Sequence, residues 1–353
     1  MLNGYADEGG GEERMAPGLN PAIRRLAALV ALALVATACG RGGGADRAQQ
    51  PGQPSGQVIM YTSVTQDTVD AVLNAYKARQ PGVSVKVFRA PTGQLNARIA
   101  ADRRAGGVKA DVIWHTDPLS MQQHAAAGLL LRRWVPVGAS KIPGPYKSDT
   151  FWGTRILNMV IVYRSGLKPV PVSWSDLTNP AYRGAVAIPD PAFAGSAFGM
   201  LGYFAMTRGY GLEFYRRLKA NGAVQVEGPP DVVNQVAEGR YKVGVTLDNS
   251  ARPAIAKGSP IRIAWPRPGA IAIYSPIAIF NTTRNPAAAE SLVNFVLTPE
   301  GQERIAETGW QPVRGDVKGS PTPAGVKQLT PDWQAIFGHQ AGLLEEYRSI
   351  FGG

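Results

Sequence analysis

The chain has 353 residues, 44% of them hydrophobic, and a formal charge of +11. That length exceeds what one hydrophobic core usually fills, about 250–300 residues, so two lobes are expected. One cysteine excludes an intrachain disulfide, and scattered basic residues without a stacked aromatic ladder argue against a nucleic-acid surface.

Residues 1–14 carry Asp7, Glu8, Glu12 and Glu13 ahead of Met15, which would itself be a conventional start. Arg24 and Arg25 then precede the apolar run Leu26 to Cys39. That run is too short for a mature membrane helix, which needs roughly 20 apolar residues. It fits a secretory signal instead. Cys39 after Val35-Ala36-Thr37-Ala38 resembles a bacterial lipobox, with alanine where leucine is usual. The expected product is exported, lipid-anchored through Cys39 at the outer face of the cytoplasmic membrane. Residues 39–57, rich in Gly, Arg, Gln and Pro, read as a flexible tether.

From Val58 the pattern turns regular. Val58 to Tyr61 reads as a buried strand. Val69, Val72, Leu73 and Tyr76 then share one helical face, and Pro81-Gly82 ends the helix. Val83 to Phe88 alternates as a second strand, and a helix containing Leu95 and Ile99 follows Pro91-Thr92-Gly93. Ala110 to Trp114 makes a third strand, with a helix from Leu119. Strand, polar turn and helix three times over indicate a parallel sheet with helices on its faces. The turns Tyr61–Thr65, Ala90–Gln94 and His115–Asp117 would then share the carboxyl edge of that sheet, where such folds bind ligands.

Arg155 to Val162 is a further strand-like run. Ala185 to Pro189 opens a second lobe, followed by helices from Ala197 to Met206 and from Gly211 to Ala220. Pro229-Pro230-Asp231 starts another helix, and Tyr241 to Leu247 is a buried strand ending at Asp248-Asn249-Ser250. Ala270 to Phe280 is apolar but contains Ser275 and Pro276, which argue for a bent, interrupted crossing strand. Helices are expected at Pro286 to Leu297, Pro299 to Thr308 and Trp333 to Ser349. His124 and His339 read as surface residues.

Over Val58 to Gly309 the chain resembles the extracellular solute-binding proteins of ABC importers, in the subgroup that holds ferric-iron, thiamine, phosphonate and sugar-phosphate binders. The resemblance is carried by VIMYTSVTQDTVDAVLNAYKARQPGVSVKVF, TGQLNARIAADRRAGGVKADVIWHTDP, PVSWSDLTNPAYRGAVAIPDP and NPAAAESLVNFVLTPEGQERIAETGWQPV. It implies an α/β, two-lobed type 2 periplasmic-binding-protein fold. Each lobe would be a mostly parallel sheet flanked by helices, and hinge strands would join the two. The implied division is an extension and signal over 1–38, a tether over 39–57, one lobe from 58–162 plus 276–353, and the other from 163–275.

The resemblance also sorts the candidate ligand contacts. Tyr61, Thr62 and Ser63 match the first contact loop, Thr92 and Gly93 the second, and His115, Thr116 and Asp117 the third. Ala194, Gly195, Ser196 and Ala197 match a helix start where relatives hold an anion on backbone amides. Asp248 and Asn249 match a selectivity loop, and Tyr274 and Ser275 the returning strand. Iron binders use an adjacent tyrosine pair at or next to the loop matched here by Asn249-Ser250, and this chain has no Tyr-Tyr pair. The expected ligand is therefore a small polar or anionic solute of the phosphonate or organophosphate class, with ferric iron as the alternative. No cofactor, resident metal or catalytic residue is expected, because GxSxG, HExxH, P-loop and Cys-His patterns are missing. A permease with its ATPase is the implied partner of a monomeric binding protein. A surface sensor or a two-lobed enzyme is the competing class.

Overall fold

The computed structural model of the protein describes residues 52–320 and 322–352. The expected signal, Cys39 and most of the tether lie outside the described residues. The chain first lays down β1 (Gly56–Thr62), α1 (Gln66–Arg79), β2 (Val83–Arg89), α2 (Thr92–Arg104), β3 (Val112–Trp114) and α3 (Pro118–Ala126). Helix α1 buries Val69, Val72 and Tyr76, the spacing that puts side chains on one face. β1 pairs in parallel with both β2 and β3, so the three carboxyl ends meet at one edge.

A second group follows: β4 (Trp152–Arg164), β5 (Val186–Pro189), α4 (Gly195–Met206), α5 (Gly211–Ala220), β6 (Val224–Val226), α6 (Pro229–Ala237), β7 (Val243–Leu247), α7 (Asp248–Ala256) and β8 (Ile261–Ala264). β5 pairs in parallel with β6 and β7. The chain then returns through β9 (Ala270–Ile279), α8 (Pro286–Val296), α9 (Pro299–Glu307), β10 (Gln311–Pro312), β11 (Gln328–Leu329), α10 (Trp333–His339) and α11 (Leu343–Phe351).

The main path of the sheet runs β2-β1-β3-β9-β4-β7-β5-β6. β9 is antiparallel to β3 and β4, and β4 is antiparallel to β7, so these two long strands join the parallel trios. Contrary to the sequence expectation, β9 is unbroken and buried along its whole length. Pro276 is accommodated because it faces Gly153, beside a register shift between Gly153 and Arg155. A bulge leaves one ladder position unpaired, so the missing proline N–H costs little there. Thr154 Oγ1 donates to the Ser275 carbonyl at 2.8 Å, and the His115 amide donates to the Pro276 carbonyl at 2.9 Å.

The C-terminal helix also departs from expectation. It divides into α10 and α11 at Gly342, whose φ of 77° lies in the left-handed region that favours glycine. α10 packs on α3 and α4. α11 packs on α5, where the Tyr215 and Tyr347 rings meet edge to face at 5.1 Å.

Candidate functional site

The first trio delivers three hydroxyls to one point. Thr92 Oγ1 donates to Ser63 Oγ at 3.0 Å and lies 3.1 Å from Thr116 Oγ1, while Ser63 Oγ and Thr116 Oγ1 are 3.1 Å apart. Each comes from a different turn, so the parallel pairing of β1, β2 and β3 is what assembles them.

Helix α4 brings its N-terminus to the same place. Its first internal hydrogen bond runs from the Phe198 amide to the Ala194 carbonyl at 3.0 Å, and no side chain caps it. The amides of Gly195, Ser196 and Ala197 precede that bond and belong to the unsatisfied first turn of a helix, which attracts anions. Glycine is required for the approach. A Cβ on Gly195 would fall 2.5 Å from Asp117 Oδ2, 2.7 Å from Thr92 Oγ1 and 2.9 Å from Thr116 Oγ1. Beside it, a Cβ on Gly93 would fall 2.0 Å from the Ala192 carbonyl oxygen, and the Gly93 amide donates to the Phe193 carbonyl at 3.3 Å.

A cavity of about 220 Å³ opens next to this seam, lined among others by Ser63, Thr92, Thr116, Ser196, Arg155 and Trp310. Arg155 is the residue that pattern reading missed. It opens the apolar run of β4 and is fully buried. Its Nη1 donates to Thr68 Oγ1 at 3.3 Å, and the guanidinium lies 4.1 Å from the centre of the Trp310 ring. Nε and Nη2 have no hydrogen-bond partner. Burial pushes its pKa down to about 9, with Asp67 opposing. A buried cation whose donors are unmatched is costly unless an anion completes it. The signal available in the sequence was an arginine at the head of the largely apolar run Arg155 to Val162. Glu227 and Asp231 line the same cavity from the start of α6.

Asp117 caps α3 with one oxygen and leaves the other unmatched. Oδ1 accepts from the Ser120 amide at 2.7 Å, and Oδ2 has no partner. The carboxyl is fully buried, and desolvation raises its pKa to about 7 against the lowering bonds from Ser120 and Leu119.

The other expected contacts do not line this cavity. Tyr61 donates its hydroxyl to Asp102 Oδ2 at 2.8 Å. Thr62 Oγ1 donates to the Trp114 carbonyl at 2.9 Å. Ala197 is buried in the first turn of α4. Asp248 holds Arg252 at 3.0 Å, one turn along α7, and burial raises its pKa against that cation. Asn249 Nδ2 donates to the Thr308 carbonyl at 2.9 Å. Ser275 Oγ donates to the His115 carbonyl. Tyr274 faces a separate cavity of about 710 Å³ that it shares with Trp333. His115 is buried, its Nε2 3.1 Å from His124 Nε2. His124 is thus a correction: it is an interior residue stacked on His115, although its helix position read as surface. Burial holds both imidazoles neutral, His115 well below its ordinary range and His124 at about 4. Among the described residues no group of three or more His, Cys, Asp or Glu could hold a metal ion.

Residues 58–311 match the family described as "Bacterial extracellular solute-binding protein". The Spermidine/putrescine-binding periplasmic protein of Escherichia coli is 29% identical over 221 residues, which is 57% of this chain and 62% of that relative. The chain therefore spans less than two thirds of the length of that relative. A Putative 2-aminoethylphosphonate-binding periplasmic protein of Salmonella typhimurium is 26% identical over 276 residues, covering 72% of this chain and 79% of the relative. Among solved structures, the periplasmic binding protein AfuA from Actinobacillus pleuropneumoniae, with exogenous fructose-6-phosphate bound, superposes with a TM-score of 0.76 at 19% identity. That match covers 83% of this chain and 98% of that one. The fold is thus that of the type 2 periplasmic binding proteins.

Proposed function

The chain belongs to the bacterial extracellular solute-binding proteins, and on that premise we propose that it captures a small organic oxyanion of the phosphonate or organophosphate class for an ABC importer. The observation that carries this is Arg155. Arg155 lines a cavity with Ser196, at the uncapped start of α4, and with Ser63, Thr92 and Thr116, and its Nε and Nη2 are buried without a partner. Guanidinium and helix N-terminus both favour negative charge. The same pair argues against a polyamine, since a dication would meet a buried cation. Glu227 and Asp231 on the cavity wall suit an amine or hydroxyls at the other end of the ligand. Two of the similar proteins, one named for binding 2-aminoethylphosphonate and one solved with fructose-6-phosphate bound, support the same reading.

In this reading residues 58–162 with 276–353 form one lobe and 163–275 the other, and β4 and β9 act as the hinge. Closure brings α4 onto the turns of the first trio, and Gly93 and Gly195 mark the seam. The protein works as an exported monomer, tethered through lipid on Cys39, and delivers its solute to a permease and ATPase. Ferric iron lacks the tyrosine pair its binders use, and neutral Asn249 and Ser250 stand in the matching loop. A thermal-shift screen tests the reading. Phosphonates and phosphorylated polyols should raise Tm by mass action, whereas stabilisation by putrescine or ferric citrate alone would overturn it.

A further inference from the structure

We propose that capture of the anion carries one proton into the site, taken up by Asp117 as α4 settles on it. This deepens the reading above and rests on it, because that reading makes α4 the element that closes.

The geometry is specific to one oxygen. Asp117 Oδ1 is satisfied by the Ser120 amide, whereas Oδ2 is buried without a partner and faces Gly195 of α4. An ionised carboxylate held there lacks acceptor bonds on half of its charge, which is unfavourable away from water. It would also compete with the incoming oxyanion for the positive end of α4. A proton removes both penalties. An O–H bond forms at Oδ2, beside Gly195. The proton comes from solvent, so the bound species is ligand plus one proton. With α4 lifted, water reaches Oδ2 and the carboxyl returns to its ordinary range.

The surroundings do not supply a competing switch. From β9, Tyr274 feels the Asp117 charge, and its phenol is raised further out of range, chiefly by burial. His115, two residues earlier, and His124 on α3 are buried and neutral. α2 and α4 present Thr92 and Gly195, neither titratable. Arg155 and Arg89 are cations lining the adjoining cavity. Burial of the carboxyl in the closed form supports the direction, since it holds the proton to about pH 7.

The test is calorimetry with 2-aminoethylphosphonate at pH 6, in two buffers of different ionisation enthalpy. Wild type should take up about nine-tenths of a proton more than Asp117→Asn. Its affinity should fall about fiftyfold more than the variant's between pH 5 and pH 7, on a carboxyl moving from its ordinary 3.8 to about 7. Should Asp117→Asn fail to fold, carboxyl ¹³C titration of wild type with and without ligand reads the same shift. Equal proton counts and equal pH profiles, or an unmoved carboxyl, would overturn the proton coupling and leave oxyanion capture standing. Binding only of solutes that carry no phosphonate or phosphate group, at every pH, would overturn both.

Discussion

Gly195 and Asp117 lie in direct contact: a methyl group on the glycine would fall 2.5 Å from the unmatched Oδ2 of the aspartate. One residue starts α4 and the other starts α3, so this contact is where the two strand groups meet above the hydroxyl cluster.

Gly195→Ala should therefore act on the seam. The added carbon meets three oxygens, and overpacking of this kind costs about 1–3 kcal/mol. Where the seam opens to relieve it, the fold survives and ligand affinity falls by about tenfold or more. Circular dichroism with a ligand titration separates the two effects.

Arg155 should show opposite effects on stability and binding. Arg155→Met removes a buried charge with unmatched donors, so the ligand-free melting temperature should hold or rise. Anion affinity should fall by about a hundredfold or more, in line with about 2–5 kcal/mol for removing one partner of a desolvated charge pair. Melting scans with and without 2-aminoethylphosphonate read both quantities.

Ser196 and Asp248 are both expected ligand contacts from the sequence. Their surroundings now divide them. Ser196 lines the cavity, whereas Asp248 is paired with Arg252. Ser196→Ala should reduce the ligand-induced rise in Tm. Asp248→Ala should lower the ligand-free Tm and keep that rise, because it removes the buried carboxylate that holds Arg252 at 3.0 Å.

The buried histidine pair sets an acid limit. Both imidazoles have folded-state pKa values below their unfolded value of 6.5. Their contribution is thus fully present above about pH 6.5 and is lost as pH falls toward 4, where His124 titrates. For His124 the loss approaches about 3 kcal/mol. His124→Gln should flatten the fall in Tm between pH 6.5 and pH 4 relative to wild type.

What the sequence disclosed follows from the range of each interaction. The rhythm of β1 to α3 was legible because Val69, Val72 and Tyr76 keep helical spacing and Pro81-Gly82 punctuates it. Ser63, Thr92 and Thr116 could be placed at one edge from that rhythm alone. Arg155 could not, since its role depends on Trp310 and Thr68, both distant in sequence. The continuity of β9 was hidden because Pro276 is rescued by a bulge in another strand. His124 was misread for the same reason: its partner, His115, lies off the helix face that periodicity describes.

The most direct measurement is isothermal titration of wild type and Arg155→Met with 2-aminoethylphosphonate and with putrescine. Wild type should bind the phosphonate and ignore the diamine, and the variant should lose the phosphonate. Tight putrescine binding that survives Arg155→Met would contradict oxyanion capture.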